Sequence, residues 1–456
     1  MTMRIVLTAA EMRAAEEAAI AAGTPVATLM ERAGAAAAEA IRRFAGPLPA
    51  LVLCGPGNNG GDGYVVAREL AARGVAVRVA ALAEPNSEAA RAARDAWGGR
   101  PEPLTEAAPA PLLIDALFGT GLARPLDAAA AGRLAELAAA ARVRVAIDLP
   151  SGAATDDGAI LSAVPDFDLT VTFQTLKPSH LLQPAARHMG RIVVADIGIA
   201  AASRLHEIAR PRLRLPGPDD HKYSRGYVAV IAGEMPGASA LAAAAALRAG
   251  AGYVRIFAEA LVEGVPAAVV QAPGRGFAGD PRIGALALGP GLGAGMTGRE
   301  RLETALDAGA PLVLDADALN LLAGSELIAL DGAILTPHEG EFARLFGALP
   351  GSKVERARAA AARAGAVVML KGADTVVAAP DGRAAIAPPA SPWLASAGTG
   401  DVLTGIVAAM RASGMDPFEA ACAGAWLQGR AAQLAGPALI ADDLVAHLAA
   451  AVAECR

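Results

Sequence analysis

Residues 51–63 read LVLCGPGNNGGDG: a short apolar run that stops at a segment carrying five glycines, two asparagines and one aspartate. A buried strand leading into glycine suits the cradling of an anion, because glycine lets backbone N–H groups approach closely. The segment lacks the lysine of a phosphate-binding P-loop, and its glycines do not have dinucleotide-fingerprint spacing. Outward from it, apolar runs at 51–54, 75–82, 112–117, 144–149, 169–173 and 191–197 read as strands. Helices are expected at 63–73, 86–97 and 127–140, after two helices in the first 45 residues, the second opened by Thr24 and Pro25. Strand–helix alternation with short links predicts a parallel sheet covered on both faces. The pattern breaks at 206–222, HEIARPRLRLPGPDDHK, which reads as a linker or lid. It restarts with strands expected at 227–231, 252–257, 284–288, 311–315, 333–335, 366–370 and 375–379, and from about 401 onward the chain reads as helical. Two α/β domains are therefore expected, residues 1–208 and 209–456, as the chain's length also suggests.

Composition narrows the function classes. The chain is 54% hydrophobic but only 4% aromatic, so alanine and small aliphatics dominate, and periodicity alone is a weak helix signal. Net charge is −6 with no basic block, which argues against nucleic acid as the main partner. Cys54, Cys422 and Cys455 form neither a CxxC pair nor a disulfide framework, which suits a reducing cytoplasm. The start, MTMRIVLTAAEMRAAEE, turns charged too soon for a signal peptide. The most apolar helix, ASALAAAAAL at 238–247, is about half the length of a membrane span, so no membrane association is expected.

In open parallel sheets, ligands gather where loops leave the carboxyl ends of strands. Three such segments in the first domain carry polar clusters: CGPGNNGGDG, DALFGTGLARP (115–125) and DLPSG (148–152). Each alone is an ordinary turn or helix cap. Their convergence, bringing Asp62, Asp115 and Asp148, points to a site. It holds no histidine, and its amide, carboxylate and carbonyl oxygens suit a hard cation. Glycines of GTGL and NNGG offer N–H groups to a phosphate, and a strand-end aspartate suits acid–base work on a nucleotide-like molecule.

MERAG at 30–34, GPGNNGGDG, DALFGTGL and IDLPSG, in this order, resemble the NAD(P)H-hydrate epimerase domain over residues 10–200. The resemblance implies a Rossmann-like three-layer α/β/α fold that binds hydrated nicotinamide cofactor. The binding residues would be Asn58, Asn59, Gly60, Gly61 and Asp62, then Gly119, Thr120, Gly121, Leu122, Ala123, Arg124 and Pro125, and Asp148. It also implies a potassium ion near Asn59, Asp115 and Ser151, and Asp148 as the acid–base group at the C6 hydroxyl.

In the second domain, SAGTGDVLTG (396–405) precedes a long apolar helix, whose N-terminal amides form an anion site beside Asp401. A carboxylate next to a phosphate suits proton removal from an attacking hydroxyl. KGADT (371–375) offers Lys371 and Thr375 to phosphates, TPHEGE (336–341) places His338 at a strand end, and ALGPGLG (287–293) gives backbone room. DADALN (315–320) and HKYSRG (221–226) are expected at the same edge. Together these resemble the ADP-dependent NAD(P)H-hydrate dehydratase of the ribokinase-like group over about 215–450. The resemblance implies a ribokinase-like α/β/α fold with AMP/ADP contacts from Lys371, Gly372, Ala373, Asp374, Thr375 and Gly400. Hydrate contacts would come from Ala238, Gly291, His338 and Asp401, with Asp401 as base and magnesium bridging the nucleotide phosphates. Two departures stand out: Gln428–Gly429 where a His–Gly pair is expected, and a loosely matching stretch at 263–275.

The reading is one chain with two consecutive activities on damaged NADH or NADPH, cytoplasmic and expected to form a homo-oligomer. One alternative is a ribokinase-like small-molecule kinase, for example on a vitamin precursor, joined to a non-catalytic nucleotide-binding domain; it leaves Asp115 and Asp148 unexplained. Asp115, Asp148 and the full asparagine–glycine segment argue against a mere scaffold as first domain, and the lack of basic and aromatic runs argues against RNA binding.

Overall fold

The strand beginning the motif, β1 (Ala50–Cys54), is buried along its whole length. Leu51 and Leu53 belong to one apolar layer and Val52 and Cys54 to the other, as the two-residue period of a strand covered on both faces requires. The computed structural model describes residues 4–274, 276–323 and 330–456. Arg275 of the loosely matching 263–275 stretch and the first three residues of the chain lie outside them. Two compact units emerge, Arg4–Ser203 and Arg204–Arg456.

The first unit opens with α1 (Ala9–Ala21) and α2 (Val26–Ala45), Pro25 standing at the N-cap of α2. After β1 come α3 (Asn58–Ala72), β2 (Val77–Ala81), α4 (Glu88–Trp97), β3 (Glu102–Pro103), β4 (Leu112–Ala116), α5 (Ala128–Ala140), β5 (Val143–Ile147), β6 (Leu169–Phe173) and β7 (Arg191–Ala195). The strands form one parallel sheet in the order β3-β2-β1-β4-β5-β6-β7. Ile41 of α2 and Val65 and Val66 of α3 pack on one face, and Leu134 and Leu137 of α5 on the other.

In the second unit, β8 (Leu205–Glu207) precedes β9 (Tyr227–Ile231), α6 (Pro236–Arg248), β10 (Tyr253–Phe257), β11 (Val270–Gln271), β12 (Ala285–Leu288) and α7 (Met296–Asp307). Then follow β13 (Leu312–Leu314), α8 (Ala316–Leu322), β14 (Ile334–Leu335), α9 (Glu339–Phe346), α10 (Lys353–Ala364), β15 (Val367–Leu370), β16 (Val376–Ala378) and β17 (Ala384–Ile386). Three helices close the chain: α11 (Thr399–Ala412), α12 (Pro417–Ala435) and α13 (Ala441–Ala453). The sheet order is β11-β10-β9-β12-β13-β14-β15-β16-β17-β8. It is parallel from β11 to β15, and β16 runs antiparallel to both its neighbours.

Sequence and structure differ in instructive places. Residues 205–207, at the start of the expected linker, form β8 and pair with β17. The helix expected to begin at 63 begins at Asn58, so NNGGDG is helix rather than loop. Glycine weakens an isolated helix, but here Gly61 and Gly63 let α3 lie close to Met30 and Cys54. Packing overrides propensity. Among the described residues, no helix is long and apolar enough to cross a membrane.

Candidate functional sites

In the first sheet, chain connections reverse direction between β1 and β4, leaving a crevice at their carboxyl ends. Gly55 makes the crevice tight, since a Cβ there would lie 1.8 Å from the Leu117 carbonyl oxygen. Asn59, in the first turn of α3, and Asp148, after β5, flank Gly119 from two sides. A Cβ on Gly119 would lie 2.8 Å from Asp148 Oδ2 and 2.9 Å from Asn59 Oδ1. The loops read from the sequence therefore converge.

Asp148 is held by more groups than any sequence motif announced. Oδ2 accepts from the Thr120 N–H at 2.9 Å and from the Thr120 hydroxyl. Oδ1 accepts from Thr172 Oγ1 at 2.9 Å and from Lys177 Nζ at 2.8 Å. Lys177 is 1% exposed and also donates to Thr172 Oγ1 and to the Phe173 carbonyl. Burial alone would raise the Asp148 carboxyl, but the Lys177 ammonium and the hydroxyl of Thr120 outweigh it and hold the group well below the usual carboxylate range. His180 Nδ1 accepts from the Lys177 N–H, so Nε2 carries the hydrogen donated to the Asp148 carbonyl oxygen at 2.9 Å. Burial and the neighbouring ammonium lower His180 to about 4, which leaves its ring neutral at pH 7. Asp148 itself sits at φ 64°, a left-handed conformation costly for a non-glycine residue. Lys177, Thr172 and His180 carry no recognisable motif, and only the fold brings TLKPSH beside DLPSG.

Asp115 and Ser151 also meet. Asp115 is fully buried, with Oδ1 accepting from the Leu117 N–H and the Ser151 hydroxyl and Oδ2 from the Ser151 N–H. Burial raises its carboxyl to about 6, against the opposing pull of those donors. Asn59 Nδ2 is buried and has no hydrogen-bond partner among the described residues. Not every expected contact points inward. The Asn58 side chain accepts from Ser87 Oγ at 2.7 Å, tying α3 to the N-cap of α4. The Thr120 N–H, between the two glycines expected to serve a phosphate, serves Asp148. Gly60 and Gly61 are buried in α3, and Leu122 is half-buried. Gly121, Ala123, Arg124 and Pro125 form an exposed rim.

The second unit repeats the arrangement at the reversal between β9 and β12. The Met235 N–H donates to the Gly291 carbonyl at 3.0 Å, joining the loop after β12 to the start of α6, where Ala238 lies in the first turn. Gly289, at φ 124°, lets this loop pass Asp315, whose carbonyl would lie 1.7 Å from a Cβ there. Asp315, 2% exposed, receives Lys371 Nζ at 2.6 Å and Thr404 Oγ1 at 2.7 Å. Gly400 faces the same pair, and its carbonyl accepts from the Thr404 hydroxyl. Asp401 is half-buried in the first turn of α11 and accepts no hydrogen bond among the described residues. Burial first, then the charge of Asp315, raises its carboxyl to about 6 despite Lys371.

Several expected ligands are already engaged. Lys371 is in an ion pair, and Thr375 exchanges hydrogen bonds with Gly372. Asp374 is buried against Lys353 Nζ at 2.6 Å, a partner unsuspected from sequence. Gly372 and Ala373 are exposed. His338 is the N-cap of α9, its Nδ1 accepting from the Gly340 and Glu341 N–H groups, yet it stays exposed beside the Lys371 loop. HKYSRG does not reach the site. It precedes β9, at the amino end of the sheet, where Tyr223 packs on Tyr227 and Tyr253. Gln428, in place of the expected histidine, donates to the Thr399 carbonyl at 2.7 Å and so holds the start of α11.

Comparison with known proteins matches both halves of the chain. Residues 26–179 match the family described as YjeF-related protein N-terminus, and residues 228–452 match the NAD(P)H-hydrate dehydratase family. The chain is 40% identical over 430 residues to the bifunctional NAD(P)H-hydrate repair enzyme Nnr of Mycobacterium tuberculosis (strain ATCC 25618 / H37Rv), with 89% of each chain covered. It is 35% identical over 458 residues to the enzyme of that name from Escherichia coli K12, covering 92% of this chain and 88% of the relative. A ribokinase-like superfamily protein from Enterococcus faecalis V583 superposes with a TM-score of 0.50 at 20% identity, over 56% of this chain and 98% of that one, and shows the fold alone. With both halves matched and relatives aligned over most of their length, the chain belongs to the family of bifunctional NAD(P)H-hydrate repair enzymes.

Proposed function

We propose that the first unit interconverts the (R)- and (S)-hydrates of NADH and NADPH, and that the second dehydrates the (S)-hydrate while ADP becomes AMP and phosphate. The observation that carries this reading is the contrast between two carboxylates at equivalent crevices. Asp148 is locked into four hydrogen bonds and kept ionised, which suits a fixed negative charge facing C6. Asp401 accepts no hydrogen bond among the described residues and stands at a helix N-terminus, which suits removal of a proton from the hydrate's hydroxyl as it attacks a phosphoryl group anchored by the amides of α11. Loss of the resulting phosphate restores the double bond. Lys371 would exchange Asp315 for a nucleotide phosphate, and Gly291, Ala238 and His338 would line the hydrate's side. A kinase joined to a non-catalytic domain is not favoured, because the relatives that align over both units are repair enzymes.

The residues of the first crevice fit a potassium ion. Asn59 Oδ1, Asp115, Ser151 and the Phe118 carbonyl, 3.2 Å from Ser151 Oγ, offer an all-oxygen donor set. Potassium chloride is expected to raise the melting temperature of the full chain above that in equimolar lithium chloride, and Asp115→Asn to abolish the difference. In the second unit Asp401 lies near Asp315 and Asp317. Among the described residues no three His, Cys, Asp or Glu side chains form a metal cage, so magnesium would take most of its ligands from the nucleotide phosphates and water. A cytoplasmic setting, supported by three free cysteines, and a homo-oligomeric assembly belong to the same reading; light scattering tests the latter.

The deciding experiment supplies mixed NADH hydrates and follows recovery of nicotinamide absorbance with ADP, ATP or neither. The parent is expected to recover the whole mixture with ADP. Asp148→Asn should stop near the (S) fraction, the remainder following only at the spontaneous epimerisation rate. No recovery with any nucleotide would refute the reading.

A further inference from the structure

We propose that Asp62 is a catalytic acid of the first site, protonating the C6 hydroxyl of the hydrate while the Asp148 carboxylate faces the cation left behind. The inference rests on the epimerase reading above. Changing the hand of C6 requires its hydroxyl to leave and return, and a hydroxyl leaves as water only if a proton is supplied. Asp148 is poorly suited to supply it, because its oxygens already accept four hydrogen bonds, one from a buried ammonium.

Asp62 has the opposite surroundings. It lies one helical turn beyond Asn59 on α3, and residues three apart share a helix face. Asn59 Oδ1 borders Gly119 as Asp148 does, so that face addresses the crevice. The Asp62 side chain is half-buried and accepts no hydrogen bond among the described residues. Its charged neighbours are Asp148, Glu16 of α1 and Lys177. Burial first, then the like charges of Asp148 and Glu16, push its carboxyl well above the usual range against the pull of Lys177. A carboxyl whose burial and like-charged neighbours favour the protonated form thus shares one crevice with an ion-paired carboxylate, the division of roles that acid–base sites achieve by environment.

The step balances. The Asp62 proton passes to the C6 hydroxyl oxygen, the C6–O bond breaks with its electron pair leaving on water, and the N1 lone pair forms N1=C6. Water adds to C6 on either face, the N1=C6 pair returns to N1, and the surplus proton passes to the Asp62 carboxylate directly or through solvent.

The test measures conversion of purified (R)-hydrate to (S)-hydrate by the full chain. Asp62→Asn is expected to lower kcat by ~100-fold or more with KM changed less than about threefold, and Asp62→Glu to regain part of the loss. A parental kcat in Asp62→Asn, or a defect confined to KM, would overturn the proposal. Equal losses in the Asn and Glu variants, with a lowered melting temperature in both, would overturn it in favour of a structural role. If the parent itself does not epimerise, the epimerase reading fails instead, so the two failures are distinguishable.

Discussion

Asp401→Asn is expected to lower ADP-driven dehydration of the (S)-hydrate by about 10³-fold, ~4 kcal/mol of transition-state stabilisation, while leaving epimerisation intact. Three features set this magnitude. The carboxyl is in the first turn of α11, where the amides that would hold a phosphoryl group also converge. It accepts no hydrogen bond among the described residues, so its lone pairs are available to a substrate proton. Its neighbour Asp315 already has one oxygen engaged by Lys371 and the other by Thr404, and so is not free to replace it. The pH dependence has a definite sign. With its carboxyl raised to about 6 by burial and Asp315, Asp401 is active as the ionised base above that pH and is lost as pH falls through it. In the parent, kcat/KM should therefore be flat above about pH 7 and fall tenfold per unit below about pH 6. The residual rate of Asp401→Asn should lack that limb. A variant that kept both the rate and the limb would show that another group removes the proton.

The sequence made visible what backbone chemistry dictates and hid what side chains arrange across distance. Apolar runs leading into glycine marked β1, β9 and β12, because a strand buried on both faces is largely apolar and its exit must turn sharply, and β4 was marked in the same way despite the buried Asp115 within it. Asp148 and Asp401 were legible because each stands at an element boundary, Asp148 just past β5 and Asp401 next to Gly400 in the first turn of α11. Lys177 was not: a lysine in a proline-containing stretch reads as surface, and only the placement of β6 beside β5 carries it into the crevice behind Asp148. Lys353, on the helix before β15, reaches Asp374 by the same logic. NNGGDG was misread for the converse reason. Local propensity assigns it to a loop, while close packing against α2 and β1 makes small residues the ones a helix needs there. His338 looked like a ligand by composition, and its Nδ1 is occupied as a helix cap.

Lys177→Met is expected to destabilise the first unit by about 3–5 kcal/mol, because it leaves the Asp148 carboxylate buried without its counter-charge. The ammonium also donates to Thr172 and to the Phe173 carbonyl, and both would lose that donor. The double variant Lys177→Met/Asp148→Asn should recover most of the loss, since no uncompensated charge remains. The sign of the pH effect separates this cause from simple loss of packing. In the parent, the Asp148 carboxyl is depressed in the folded state, so its contribution is present above the ordinary carboxylate range and is lost only as pH falls through its lowered value. Without Lys177, burial is left as the dominant influence and the folded carboxyl is raised. The folded variant then gains relative stability as pH falls, because the neutral carboxyl is cheap to bury and the charged one is not. The deficit of Lys177→Met against the parent should therefore be larger at pH 8 than at pH 5, as read by hydrogen exchange of the β5 and β6 amides in the full chain. A deficit independent of pH would assign the loss to packing and hydrogen bonds, and a negligible one would mean that the ion pair merely offsets its own desolvation.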